Sequence, residues 1–209
     1  MTVRLSELDT IIFDLGEVIV DLDTDAVLKA FTELTRADGR EIRDLIVSSP
    51  YLYQYETGQL ADEEFVNEVN TLLRSQIGFA DFRYAWNLMI KSIPMQRLNF
   101  MDKLKETHKI LVLSNTNAMH EACFEEMVEL QTGLKMRHFA HTVYYSHRIG
   151  LRKPESAIFE LVIREQNLRP DRTAFLDDRP ENIEAAKATG LQAIQVMHPD
   201  QIFEILQDE

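Results

Sequence analysis

The stretch Ile11-Ile12-Phe13-Asp14-Leu15-Gly16-Glu17-Val18 constrains everything else in the chain. An apolar, β-branched and aromatic run stops at a carboxylate, and glycine follows two residues later. Such a run predicts a short buried strand. Asp14 then stands at the strand's carboxyl end, where open α/β sheets bind their ligands. A carboxylate buried there is costly unless a cation or hydrogen-bond donors compensate it. Taken alone, the pattern is met equally by an aspartate that merely turns the chain. Three later stretches change that balance.

Val18-Ile19-Val20 continues apolar before Asp21-Leu22-Asp23-Thr24-Asp25 breaks the run. Asp23 or Thr24 is a suitable N-cap for a helix through Val27, Leu28, Phe31 and Leu34. From there to about Ile93 the periodicity is helical, so residues 24–92 read as a small all-helical insert of four or five helices without a strand. Beyond Pro94 the period changes. Lys109-Ile110-Leu111-Val112-Leu113-Ser114-Asn115, His141 to Ser146, Thr173-Ala174-Phe175-Leu176-Asp177-Asp178 and Gln192 to Val196 are four further strands, with helices between them. Pro154 suits the first turn of the helix through Ile158, Leu161 and Val162. Strands alternating with helices predict an α/β fold: a Rossmann-like parallel sheet with helices on both faces, carrying the inserted helical domain. The core comprises residues 1–23 and 93–209, and the insert residues 24–92.

Composition bounds the partners. The net charge is −13, and residues 1–70 hold 16 acidic against 5 basic side chains. Such a surface repels nucleic acid and acidic membranes. An anionic ligand would therefore need a local cation or a few placed lysines. No apolar run approaches the ~18 residues of a membrane span, and the start lacks a signal-peptide pattern. One cysteine, Cys123, gives neither a disulfide framework nor a thiolate cluster, and reads as core. A cytoplasmic protein is expected. The six histidines show no metal-ligand spacing. His120 either lines the site or caps and covers a helix.

The strands and the loops that follow them deliver polar groups in one sense: Asp14, Ser114 with Asn115, Lys153, and Asp177 with Asp178. A carboxylate can act as a nucleophile toward phosphorus. Two carboxylates plus a backbone carbonyl make a hard oxygen site for Mg²⁺, which also bridges phosphate. Ser114 and nearby backbone N–H groups can hold phosphate oxygens, and Lys153 at a helix start adds a point charge. Phosphoryl transfer needs chiefly this positioning and electrostatic stabilisation.

Phe-Asp-x-Gly-x-Val, Leu-Ser-Asn-Thr-Asn, Arg-Lys-Pro-Glu and Leu-Asp-Asp-x-x-x-Asn-x-x-x-Ala, in this order, resemble the four motifs of the haloacid dehalogenase superfamily. The helical insert is similar to the cap of its C1-capped members. Tyr55-Glu56-x-Gly58 and Ser114-Asn115-Thr116-Asn117 resemble the bacterial sugar-phosphate phosphatases of the α-D-glucose-1-phosphate phosphatase kind. The resemblance implies Asp14 as nucleophile and Asp14, the Gly16 carbonyl and Asp178 as Mg²⁺ ligands, with Asp177 behind them. It implies Ser114, Asn115 and Lys153 on the transferring phosphate, and a cap that selects a small phosphorylated metabolite. Tyr51, Tyr53, Tyr55 and Glu56, on a loop-like stretch after Pro50, are the candidate specificity residues.

One departure stands out. The superfamily's phosphatases usually carry a second aspartate two residues after the nucleophile, as general acid and base, and here that position is Gly16. The resembling sugar-phosphate group shares this glycine. Either Glu17, Asp21 or a cap residue substitutes, or the leaving group needs little protonation. A metal-free 2-haloacid dehalogenase on the same scaffold, and a catalytically weak member that binds a phosphorylated ligand or a protein, are the alternative expectations. The pair Asp177 and Asp178 favours the metal-dependent reading.

Overall fold

The computed structural model describes residues 4–35 and 38–206. In chain order its strands and α-helices begin with β1 (Thr10–Phe13) and β2 (Asp21–Leu22). Five helices follow: α1 (Thr24–Thr35), α2 (Gly39–Ser48), α3 (Pro50–Glu56), α4 (Asp62–Leu72) and α5 (Phe79–Asn87). Next come β3 (Ile90–Ser92), α6 (Met95–Leu104), β4 (Lys109–Ser114), α7 (Ala118–Thr132), β5 (Thr142–Tyr145), α8 (Ser146–Ile149) and α9 (Ser156–Gln166). The chain closes with β6 (Thr173–Asp177), α10 (Pro180–Ala188), β7 (Gln192–Gln195) and α11 (Ile202–Ile205).

The sheet is parallel and ordered β5-β4-β1-β6-β7. Every residue of β1 is buried because the strand is central and covered on both sides. Its period of two divides the core: Ile11 and Phe13 pack with Ile110, Val112, Ala174 and Leu176 against α6 and α7. Ile12 packs with Leu111, Leu113 and Phe175 against α9 and α10. Apart from Ala174, each of these side chains contributes about 1.5–3 kcal/mol by leaving water. Strand order reverses at β1, since β4 and β5 lie on one side and β6 and β7 on the other. The carboxyl end of β1 is thus the topological switch point, where such sheets hold their ligands.

The insert has its own apolar centre. Phe31, Tyr55, Phe65, Phe82 and Trp86 pack edge-on or stacked within it, and Met119 from α7 enters the same cluster. Asp23 caps α1 by accepting from the Ala26 N–H at 2.9 Å.

Three local expectations are corrected. The insert is flanked by a two-stranded antiparallel ribbon of β2 and β3, so a strand does fall inside 24–92. Strands of two and three residues are too short to show alternation in sequence. Pro50–Glu56 is a helix and not a loop: proline occupies its first turn, where its missing N–H costs nothing. Lys153 and Pro154 lie in the turn ahead of α9, which starts only at Ser156. Among the described residues no helix is long and apolar enough to cross a membrane.

Candidate active site

Asp14 directly follows β1, and its N–H still bonds to the Leu176 carbonyl of β6 at 2.9 Å. This holds the carboxylate in line with the sheet. Its Oδ1 accepts from the Leu15 N–H at 2.7 Å and lies 2.9 Å from Lys153 Nζ. The ammonium also bonds to Asp177 Oδ2 at 2.6 Å. The Lys153 side chain is wholly buried, and its charge is met by those two carboxylates and by the face of Phe175, 5.4 Å from the ring centre. Burial favours the neutral amine, but Asp14 and Asp177 outweigh it and raise the Lys153 pKa.

The two adjacent aspartates of β6 part company here. Asp177 is fully buried and accepts from Lys153, at both of its oxygens from Asn182 Nδ2 (2.9 and 3.0 Å) and from the Arg179 N–H (2.9 Å). Its oxygens are therefore committed to protein donors. Asp178 is half-buried and lines a cavity of about 270 Å³ with Glu17, Gln195, Met197 and His198. Burial, reinforced by the charge of Asp177, pushes Asp178 up to about 6. Burial and the two neighbouring aspartates likewise push Asp14 up to about 7 against the pull of Lys153.

Asp14, Asp177 and Asp178 each offer an oxygen within 4.8 Å of the others. Three carboxylates facing one ammonium leave the cluster short of positive charge, and all its donors are hard oxygens. That chemistry fits Mg²⁺. The loop that carries Gly16 is tight: the N–H groups of Val18, Ile19 and Val20 all converge on the Leu15 carbonyl.

Ser114 is buried at the end of β4, next in the sheet to β1. Asn115 spends its side chain on the Lys153 backbone, donating Nδ2–H to the carbonyl and accepting the N–H, each at 2.8 Å. Its side chain thus holds the Lys153 backbone. Neither sequence neighbour of Gly16 with a carboxylate is idle. Glu17 Oε1 accepts from the Leu22 N–H at 3.0 Å. Asp21 accepts from Ser92 Oγ at 2.5 Å and from the buried Arg97 Nη1 at 2.6 Å.

Of the four insert candidates, two face away from the core's acidic edge. The Tyr51 hydroxyl lies beside Glu68 of α4. Tyr55 is insert core: it stacks on Phe65 with centroids 4.2 Å apart, and its hydroxyl donates to Asp62 and accepts from the Met119 N–H. Tyr53 and Glu56 reach the seam with the core. Tyr53 lies beside Glu155 and under the Arg152 guanidinium, 5.8 Å from its ring centre. Glu56 Oε2 is 2.8 Å from Arg152 Nη1.

The seam holds residues with no role in the sequence reading. Asn117 Oδ1 accepts from the His120 N–H at 3.0 Å and from Trp86 Nε1 at 3.4 Å. That fixes its Nδ2 as donor to His120 Nδ1, so His120 carries its proton on Nε2 and donates it to the Trp86 carbonyl at 3.1 Å. The ring also stacks on Trp86. Burial holds His120 down to about 4. His120 therefore joins insert to core instead of lining the site. Asn-x-x-His at the start of a helix is legible as an N-cap, but its partner Trp86 is 31 residues away from Asn117 in sequence.

A parallel sheet that gathers carboxylates around one buried lysine at its switch point is the site of an enzyme. Residues 8–190 match the model of the haloacid dehalogenase-like hydrolases, and the chain belongs to that family. It is similar to D-ribitol-5-phosphate phosphatase of Bacteroides thetaiotaomicron, with 29% identity over 187 residues covering 88% of this chain and 90% of that protein. A magnesium complex of a haloacid dehalogenase family enzyme from the same bacterium superposes with a TM-score of 0.84 at 24% identity, covering 91% of this chain and 93% of the other. A hydrolase of the same kind from Porphyromonas gingivalis has a TM-score of 0.84 at 23% identity, covering 97% and 100%.

Proposed function

We propose that the chain is a Mg²⁺-dependent phosphomonoesterase for a small phosphorylated metabolite, a sugar or sugar-alcohol phosphate, working in the cytoplasm. The observation that carries this reading is the buried Lys153 ammonium shared by Asp14 and Asp177, with Asp178 open beside them. The similarity to a ribitol-phosphate phosphatase supports the substrate class.

Asp14, Asp178 and the Gly16 carbonyl would hold the cation, with Asp177 behind. When bound, Mg²⁺ neutralises phosphate charge and relieves the crowded carboxylates. Lys153 orients Asp14 and offers its remaining charge to the incoming phosphate. Asp14 attacks phosphorus, the ester P–O bond breaks, and the aspartyl phosphate is then hydrolysed to inorganic phosphate and free Asp14. Ser114 and backbone N–H groups at the β4 end hold the phosphate oxygens, and Asn115 keeps Lys153 in register. In the same proposal residues 24–92 act as a cap over the core of 1–23 and 93–209, with Tyr53 and Glu56 as the members that meet substrate. A dehalogenase would have no use for Asp178, whereas a metal site does.

The test is release of inorganic phosphate across a panel of sugar and polyol phosphates, with Mg²⁺ and with chelator, beside halide release from 2-haloacids. Mg²⁺-dependent phosphate release is expected. Metal-independent halide release, or no turnover on any substrate, would overturn the proposal.

A further inference from the structure

Gly16 leaves the site without an acid at the usual place. A Cβ on residue 16 would meet the Leu22 Cδ1 methyl at 3.0 Å, a close contact that the leucine side chain would have to ease by a small shift. Glu17 and Asp21 are engaged elsewhere, as described above. Glu56 brings a further carboxylate to the seam from the insert side.

Glu56 ends α3 and is pinned from both sides. Gly58, two residues on, packs so closely on the core that an added Cβ would lie 2.1 Å from the His147 carbonyl oxygen. On the other side Glu56 meets Arg152, the neighbour of Lys153. Its charge is felt by Arg152, Arg179 and Lys153. Those residues belong to the turn before α9 and the loop after β6, which flank the carboxyl end of β1. The ion pair with Arg152, one residue in sequence from the lysine that holds Asp14, therefore places Glu56 on the insert side of the seam. Its Oε2 is buried and, although close to Arg152, makes no aligned hydrogen bond. A buried carboxylate oxygen with spare hydrogen-bonding capacity is costly unless something else uses it.

We infer that Glu56 is the proton donor and acceptor of the reaction, supplied by the insert in place of a second aspartate on the core. This rests on the phosphomonoesterase reading. As Asp14 attacks phosphorus and the P–O bond to the alcohol breaks, the Glu56 carboxyl gives its proton to the departing oxygen. In the second step the Glu56 carboxylate takes a proton from the attacking water while the P–O bond to Asp14 breaks. Phosphate leaves, Asp14 is free, and Glu56 is protonated again. Burial raises the Glu56 pKa more than the surrounding cations lower it, which favours the proton it must carry.

The experiment compares wild type with Glu56→Gln on D-ribitol 5-phosphate or the best alkyl phosphate of the panel, and on p-nitrophenyl phosphate, whose leaving group departs as a stable anion. Loss of general acid–base help predicts a fall of ~10²–10⁴ in kcat on the alkyl phosphate. On p-nitrophenyl phosphate the first step should survive and the second should stall. That gives a burst of one nitrophenolate per enzyme and a trapped, hydroxylamine-labile phosphoprotein. Glu56→Ala should behave alike, and melting curves of both variants control for folding. Equal losses on the two substrates without a burst, or a raised KM with kcat intact, would overturn the inference and leave Glu56 as a binding or packing residue. A wild type inert on every phosphate ester would instead remove the phosphomonoesterase reading itself.

Discussion

The joint between insert and core can be strained at a single atom. Gly58 has φ +70°, and its missing Cβ would lie 2.1 Å from the His147 oxygen and 3.2 Å from the His147 carbonyl carbon. Both are backbone atoms, so no side chain can swing away. Restoring ordinary contact would lift the end of α3 by roughly 1 Å, an overpacking that costs about 1–3 kcal/mol. The left-handed backbone adds about 1–2 kcal/mol for any residue with a Cβ. Gly133 separates these contributions. It ends α7 with φ +72° and has open space where a Cβ would go, so Gly133→Ala carries the backbone cost alone. Urea unfolding should thus show Gly58→Ala less stable than Gly133→Ala by about 1–3 kcal/mol, or roughly 2–4 °C in Tm for each kcal/mol. Activity divides them further. Gly133 is remote from the site, whereas lifting α3 moves Glu56, and a 1 Å misplacement can cost ~10² in rate. Equal losses of stability and activity in the two variants would refute the close seating of the insert on the turn at His147.

Lys153→Met should lose nearly all activity and, by leaving Asp14 and Asp177 buried without their cation, about 3–5 kcal/mol of stability in urea at neutral pH. Lys153→Arg should not restore turnover, because a planar fork does not fit a wholly enclosed ammonium site; full rescue would contradict that geometry. Asp178→Ala should raise the Mg²⁺ concentration for half-maximal activity at least ~10-fold, as loss of a metal ligand does, with the metal-free fold no less stable; an unchanged titration would remove Asp178 from the ligand set. His120, held down to about 4 from 6.5, binds fewer protons folded than unfolded in that window. Stability should therefore fall as pH drops from about 6.5 toward 4, by up to about 3 kcal/mol from this residue, and the difference between wild type and His120→Gln should isolate it; identical pH profiles would mean that the Trp86–His120 contact is not maintained.

The sheet was legible because each strand is an apolar run bounded by polar residues, and β1 is buried at every position. Asp14, Ser114, Lys153, Asp177 and Asp178 were legible as candidates because they end those runs or follow them. Short-range pattern could not distinguish Asp177 from Asp178, which are neighbours in sequence. Their different environments come from Asn182, one helical turn further on, and from Lys153, which is 24 residues away from Asp177. Nor did it reveal that Asn115 clamps the Lys153 backbone, a pairing across 38 residues. The tyrosines after Pro50 showed an alternation that suggested a loop, yet helical spacing sorts them: Tyr51 and Tyr55, four residues apart, share the face turned to the insert core, whereas Tyr53 and Glu56 turn to the seam. Aromatic content marked the insert core but not the direction of each ring.

The account stands on Asp14 forming a covalent bond to phosphorus. Wild type turning over a phosphate ester with Mg²⁺, quenched in acid within a few milliseconds and digested, should yield a peptide bearing one phosphoryl group on Asp14, and Asp14→Asn should yield none while remaining folded and inactive. Turnover that survives in Asp14→Asn, or a phosphoryl group found on another residue, would contradict it.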